Sequence, residues 1–177
     1  MALELDEVGR AGVAAWRDAL LVATAALRPV PAEALHVTLA FLGNRPEGQR
    51  GAIADAVAAA ADGLEAPWLV PVGLRGVPAH APRLWALEVD DEGGRAASVQ
   101  RAVVGALATA GLHAPERRPF WAHLTLARAR GRVGALPPPW SVERPPGAFA
   151  TPRVVLYRSR PAPGGARYEA LAAVRLA

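Results

Sequence analysis

Apolar positions recur along the chain with two periods. Val13, Trp16, Leu20, Ala23 and Leu27 follow one another at three- and four-residue spacing and form one stripe, which predicts an amphipathic helix over residues 7–27. Ile53, Val57, Ala60 and Leu64 predict a second helix, with Pro46 suited to its first turn and Gly63 to its end. Val99, Val103, Ala106 and Ala110 predict a third, ended by Gly111. Between the helices the pattern shortens to strand-like runs at residues 2–5, 68–77, 84–89, 154–159 and 168–176. Pro78 to Pro82 reads as an open connection, and the polar segment 90–94 as a turn. The Pro- and Gly-rich stretch 131–152 reads as a surface loop.

Two further strands, at about 35–42 and 122–128, break the pattern. Each is an apolar run carrying one His and one Thr two residues apart: His36 and Thr38, then His123 and Thr125. Alternation along a strand puts each His and its Thr on one face and Val37, Leu39, Leu124 and Leu126 on the other. A lone His on an apolar strand is usually a hydrogen-bonded core residue. Recurrence in matching context 87 residues later (123 − 36) argues against that reading and for two related halves. The whole of 1–177 then reads as a single α+β domain of two lobes, each contributing one His-x-Thr strand.

Composition narrows the chemistry. The 177 residues include no cysteine, which excludes disulfides, thiolate metal sites and cysteine nucleophiles and makes the cytoplasm the expected compartment. No segment reads as a signal peptide or a membrane span, since Glu4, Asp6 and Glu7 crowd the first ten residues. All 20 basic residues are arginine, a usage that fits GC-rich coding, and the net charge of +4 mildly favours an anionic partner. Neither His strand supplies a second metal ligand. None of Ser98, Ser141 and Ser159 sits in a nucleophile elbow. Paired imidazoles, one neutral and one charged, suit in-line displacement at phosphorus, with threonine hydroxyls donating to the non-bridging oxygens. Two such strands facing across a lobe interface would enclose one phosphate between four side chains.

The segments Leu35-His36-Val37-Thr38-Leu39-Ala40-Phe41-Leu42-Gly43 and Arg118-Pro119-Phe120-Trp121-Ala122-His123-Leu124-Thr125-Leu126-Ala127-Arg128 resemble the paired signatures of the two-histidine phosphoesterases. Within that superfamily they are most similar to the bacterial RNA 2′,3′-cyclic phosphodiesterases, also called 2′-5′ RNA ligases. The resemblance implies a bilobal fold, two antiparallel-rich sheets with outer helices around a pseudo-two-fold central cleft. It implies metal-independent hydrolysis of an RNA or nucleoside 2′,3′-cyclic phosphate to a 2′-phosphate, with no cofactor. The expected partners are RNA ends or small cyclic-phosphate nucleotides, with no membrane and no obligate protein partner. Alternatives are a non-catalytic RNA-end binder, or a phosphodiesterase or ligase acting on 2′-5′ linkages or ADP-ribose cyclic phosphate.

By the same resemblance His36, Thr38, His123 and Thr125 are the catalytic residues, His36 as acid to O3′ and His123 as base for water. Phe41 and Arg128 match positions near the substrate pocket. Both are at odd offsets from their His, so a regular strand would turn them to the opposite face, where Phe41 would pack in the core; a bulge or strand end is needed to bring either to a ligand. Arg118 and Phe120, in the basic-aromatic run before the second motif, are further candidates for holding phosphate and stacking a base, while Phe120 and Trp121 equally suit the core. His80 and His113 are expected in exposed loops. Ala122 stands where members usually have Pro, and residues 2–5 stand where members have a longer, aromatic-bearing first strand.

Overall fold

Asp6 accepts a hydrogen bond from the Gly9 amide at 2.8 Å and so caps the first helix, α1 (Glu7–Leu21). It follows a short strand, β1 (Ala2–Glu4). In the computed structural model, residues 1–22, 25–114, 116–130, 145–163 and 165–177 are described. The helix stops at Leu21, earlier than its apolar stripe predicts, because Leu27-Arg28-Pro29 is drawn off as strand β2 (Leu27–Pro29). The first His strand, β3 (His36–Thr38), is also shorter than expected, since the Leu39 and Ala40 amides both turn to the Met1 carbonyl.

A helix α2 (Arg50–Ala61) follows, burying Ile53, Val57 and Ala61 at four-residue spacing, and Gly63 just beyond it takes φ +70°. Strands β4 (Trp68–Val77) and β5 (Leu84–Asp91) pair antiparallel along their length. The Pro78–Pro82 connection, expected to be open, is closed by hydrogen bonds from the Ala81 amide to the Pro78 carbonyl and from the Arg83 amide to the Val77 carbonyl. After them come α3 (Arg95–Thr109), whose first-turn amides Ala96 and Ala97 are held by the Asp91 carboxylate, and the second His strand, β6 (His123–Ala129). Most of the stretch expected as a loop, 131–144, lies outside the described residues. Its end is not loop: Phe149 and Ala150 form β7 (Phe149–Ala150) against β4, with Phe149 buried. The hairpin of β8 (Arg153–Arg160) and β9 (Arg167–Arg175) completes the chain.

Hydrogen bonds join the described strands into one antiparallel path, β7-β4-β5-β6-β3-β1-β8-β9, with β2 on β6. The two expected sheets are thus the two halves of one sheet, joined at β6 and β3. Each half repeats a unit of strand, 15-residue helix and His strand: β1-α1-β3 and β5-α3-β6. The registers also match. Ala2, Leu3 and Glu4 lie opposite Thr38, Val37 and His36, while Ala86, Leu87 and Glu88 lie opposite Thr125, Leu124 and His123. Leu3, Val37, Leu87 and Leu124 are all fully buried, so the core runs unbroken beneath both halves, with α2 packed on α3 and on β9.

Gly9 marks a close approach in this packing. A Cβ there would overlap the Phe149 Cβ and stand 2.6 Å from Asp6 Oδ1. Alanine is the better helix former by about 1 kcal/mol, yet the overlap is with an atom fixed to the backbone of β7, and overpacking of this kind costs about 1–3 kcal/mol. Gly9→Ala is therefore expected to lower stability on urea denaturation, against its helix propensity; an increase would show that β7 yields.

Candidate active site on the seam between the two halves

Strands β3 and β6 are antiparallel neighbours, with Val37 opposite Leu124. Continuing that register puts His36 beside Thr125 and Thr38 beside His123, with the two histidines on a diagonal. Directly opposed side chains on one sheet face stand about 4.5–5.5 Å apart at Cβ, and diagonal ones about 7–8 Å. The four residues thus form a square on one sheet face, and the expectation of two strands facing each other across an interface is corrected. All four are half-buried, while Val37 and Leu124 face the core.

Both imidazoles are held in the same way. His36 Nδ1 lies 2.8 Å from the Ala34 carbonyl and His123 Nδ1 lies 2.8 Å from the Trp121 carbonyl, two residues back in each case. A carbonyl oxygen only accepts, so Nδ1 carries the proton in both rings and Nε2 is the nitrogen left to exchange one. The surroundings differ. His36 lies edge-on to Tyr168 at 5.0 Å and beside Tyr157 at 5.8 Å. His123 stacks on Trp121 at 3.9 Å, and the Arg75 guanidinium, paired to Glu88, lies 5.2 Å from that indole. Burial pushes the His36 imidazole below its ordinary value; the Ala34 hydrogen bond opposes this in part, and the N-terminal ammonium, His123 and Arg128 add smaller lowering effects.

His36, Thr38 and Thr125 line a cleft of about 510 Å³, together with Phe41, Arg128, Arg28, Tyr157 and Tyr168. Phe41 reaches it because β3 ends at Thr38, so strand alternation no longer governs it. At 74% exposure its expected core role is corrected. Arg128 reaches it through a bulge: Trp85 and Ala86 are consecutive but lie opposite Ala127 and Thr125, which leaves Leu126 as an extra residue and reverses the alternation beyond it. His123 stands beyond the cleft lining on the same strand.

Arg118 and Phe120 are not brought to the cleft. Arg118 is exposed on the approach to β6, and Phe120 packs against the core. His80 is exposed as expected, but His113 is half-buried with its Nε2 shielded.

Tyr157, Tyr168 and Arg28 were not candidates on sequence. Tyr157 donates to Glu4 Oε1 at 3.3 Å, and Glu4 is also held by Arg10 and Arg153 at 3.2 and 2.6 Å. Burial and the Glu4 charge raise the Tyr157 hydroxyl to about 12, so it stays protonated as a donor. Among the described residues, no group of three or more His, Cys, Asp or Glu side chains is placed to hold a metal ion. No described helix is long and apolar enough to cross a membrane.

Residues 3–70 match the family model of LigT-like phosphoesterases, a span that includes the first His-x-Thr motif and stops before the second. Over the full fold, the structure of TT0787 from Thermus thermophilus superposes with a TM-score of 0.77 at 28% identity, covering 99% of this chain and 95% of that one. The matched segment and the shared fold together support the two-histidine phosphoesterase superfamily. E. coli LigT complexed with 3′-AMP superposes at 0.75 with 25% identity over 99% and 95% of the two chains. No curated protein sequence matches. The second motif lies outside the matched segment, and its place rests on the sheet register that sets Leu124 opposite Val37.

The lowered His36 value links stability to pH. The folded protein keeps His36 neutral to lower pH than the unfolded chain does, so unfolding takes up a proton once pH drops below the imidazole range. The contribution is complete above about pH 6.5 and is lost as pH falls. Thermal melts at about pH 7.5 and about pH 5.5 are expected to differ less for His36→Asn than for the natural protein; equal differences would mean His36 is not held neutral.

Proposed function

We propose that the protein hydrolyses a 2′,3′-cyclic phosphate at the end of an RNA or on a nucleoside, without a metal, to leave a 2′-phosphate. The observation that carries this reading is the square of two histidines and two threonines on one sheet face, with both Nδ1 atoms tied to carbonyls and both Nε2 atoms left for chemistry. A water attacks phosphorus as the P–O3′ bond breaks. One Nε2 takes the water's proton and the other gives a proton to O3′, so the pair exchanges roles without net gain of charge. Thr38 and Thr125 hydroxyls, which have no partner among the described residues, donate to the non-bridging oxygens. The 3′-AMP bound by E. coli LigT carries its phosphate on the same ribose edge, which supports a ribonucleotide as the ligand.

The resting protein favours a particular order. A neutral His36 accepts a proton at Nε2 and cannot donate one there, so it suits the base, the reverse of the order implied by the family resemblance. An aryl phosphodiester, whose leaving group needs no proton, separates the two. The variant lacking the base stays inactive on it, whereas the variant lacking the acid recovers. His123→Ala is expected to recover and His36→Ala is not; the opposite pattern restores the order of the resemblance.

On a 2′,3′-cyclic nucleotide, His36→Ala and His123→Ala are each expected to lose at least about 10²-fold in kcat, with unchanged melting at neutral pH and no effect of EDTA on the natural protein. Chromatography of the product should give the 2′-phosphate. Full activity in either variant would refute the mechanism, and binding without conversion would make the protein an RNA-end binder.

A further inference from the structure

Arg28 and Arg128 occupy directly opposed positions on β2 and β6, and both side chains line the cleft. Like charges placed opposite one another on a sheet destabilise it, and neither residue has a carboxylate partner among the described residues. The contrast with the neighbouring arginines is direct. Arg50 and Arg158 pair with Glu47, and Arg158 and Arg160 with Glu169. Three of the neighbouring arginines are thus paired to carboxylates, and Arg45, which donates to the Leu42 carbonyl, has none among the described residues, as this pair has none.

The two guanidinium groups have different neighbours. Arg128 is close enough to act on the charge of His36. Arg28 lies across the β8–β9 turn, with Cζ, Nε and Nη2 3.6–3.7 Å from where a Gly165 Cβ would stand. Gly165 itself takes φ +129°, a conformation that other residues rarely adopt. The arginine pair therefore spans from the His-Thr square outward to that turn. The cyclic phosphate, with a single negative charge, is held by the square in the proposed reaction, and it does not account for a second cation placed farther out. Guanidinium groups without carboxylates, opening on a cleft, are matched to phosphate oxygens.

We infer that Arg28, together with Arg128, forms a second phosphate site, for the phosphate on the 5′ side of the nucleoside that carries the cyclic phosphate. The preferred substrate is then an RNA end or a 5′-phosphorylated nucleotide, and a cyclic mononucleoside lacking the 5′-phosphate is a poorer one. The inference rests on the proposed reaction for the identity of the first phosphate.

Calorimetric binding tests it without turnover. Adenosine 2′,5′-bisphosphate and adenosine 2′-monophosphate differ only in the second phosphate. The natural protein is expected to bind the bisphosphate at least about tenfold more tightly, a ratio of about 1.4 kcal/mol. Arg28→Gln should bring the ratio close to one, and Arg28→Lys should keep part of it because the charge remains. Equal affinities in the natural protein, or a ratio that survives Arg28→Gln, would overturn the site. So would an equal loss for both ligands in a folded Arg28→Gln, which would mean that Arg28 serves the first phosphate or the cleft's shape. Tight, Arg28-dependent bisphosphate binding without hydrolysis of any cyclic phosphate would instead defeat the proposed reaction and leave the second phosphate site standing.

Discussion

The two His strands meet at one bridge pair, Val37 opposite Leu124, with β2 continuing the seam along β6, and the candidate site depends on this register. Both side chains are fully buried. Because side chains alternate along a strand, a slip of one residue at this seam would turn His36 and Thr38, or His123 and Thr125, into the core. The flanking strands brace it. Leu3 lies opposite Val37 and Leu87 opposite Leu124, so four buried apolar residues cross the sheet in one row. The polar square on the other face is thus fixed by the apolar row beneath it.

Symmetry builds the square and local departures from symmetry give it a substrate side. On one strand β3 ends early, and Phe41 is freed to lie exposed at the cleft. On the other, the extra residue Leu126 in β6 reverses the alternation and turns Arg128 to the face of His123 and Thr125. A strand end and a bulge are two solutions to one geometric problem: a residue at an odd offset from its histidine must be brought to the histidine's face. An aromatic ring arrives from one half and a guanidinium from the other.

Much of this was legible in the chain. The three helices and the two His strands follow from periodicity and spacing; the need for a bulge or strand end at Phe41 and Arg128 follows only once the family resemblance places them near the pocket. Other features were hidden for physical reasons. Strand β2 is only Leu27-Arg28-Pro29, and it continues the apolar stripe of α1, so nothing local separates it from the helix. The side-by-side arrangement of β3 and β6 is a long-range pairing that no local pattern encodes. Phe120 sits in a run whose aromatic character suits base stacking and core equally, and the core takes it. One signal was present but faint. Ala2-Leu3-Glu4-Leu5 and Ala86-Leu87-Glu88-Val89 are near copies, and they are the strands beside the two histidine motifs. In a chain so rich in alanine and leucine, four residues do not stand out until the register aligns them.

The repeated unit gives both imidazoles the same tautomer, since each Nδ1 finds the carbonyl two residues back. Two identical groups in identical surroundings can hold one proton between them, but nothing then decides which one carries it. The difference comes from outside the repeat. Tyr157 on β8 and Tyr168 on β9 close around His36, and burial there disfavours its charge. His123 instead lies against Trp121, with Arg75 and Glu88 beyond. Strands β4 and β7 hold the places beside β5 that β8 and β9 hold beside β1, but Arg75 on β4 stands on the His123 side where the hairpin brings two tyrosines to His36. It is therefore the side chains of the outer strands, not their order, that give the two histidines different surroundings, and the turn of the β8–β9 hairpin, at Gly165, receives Arg28.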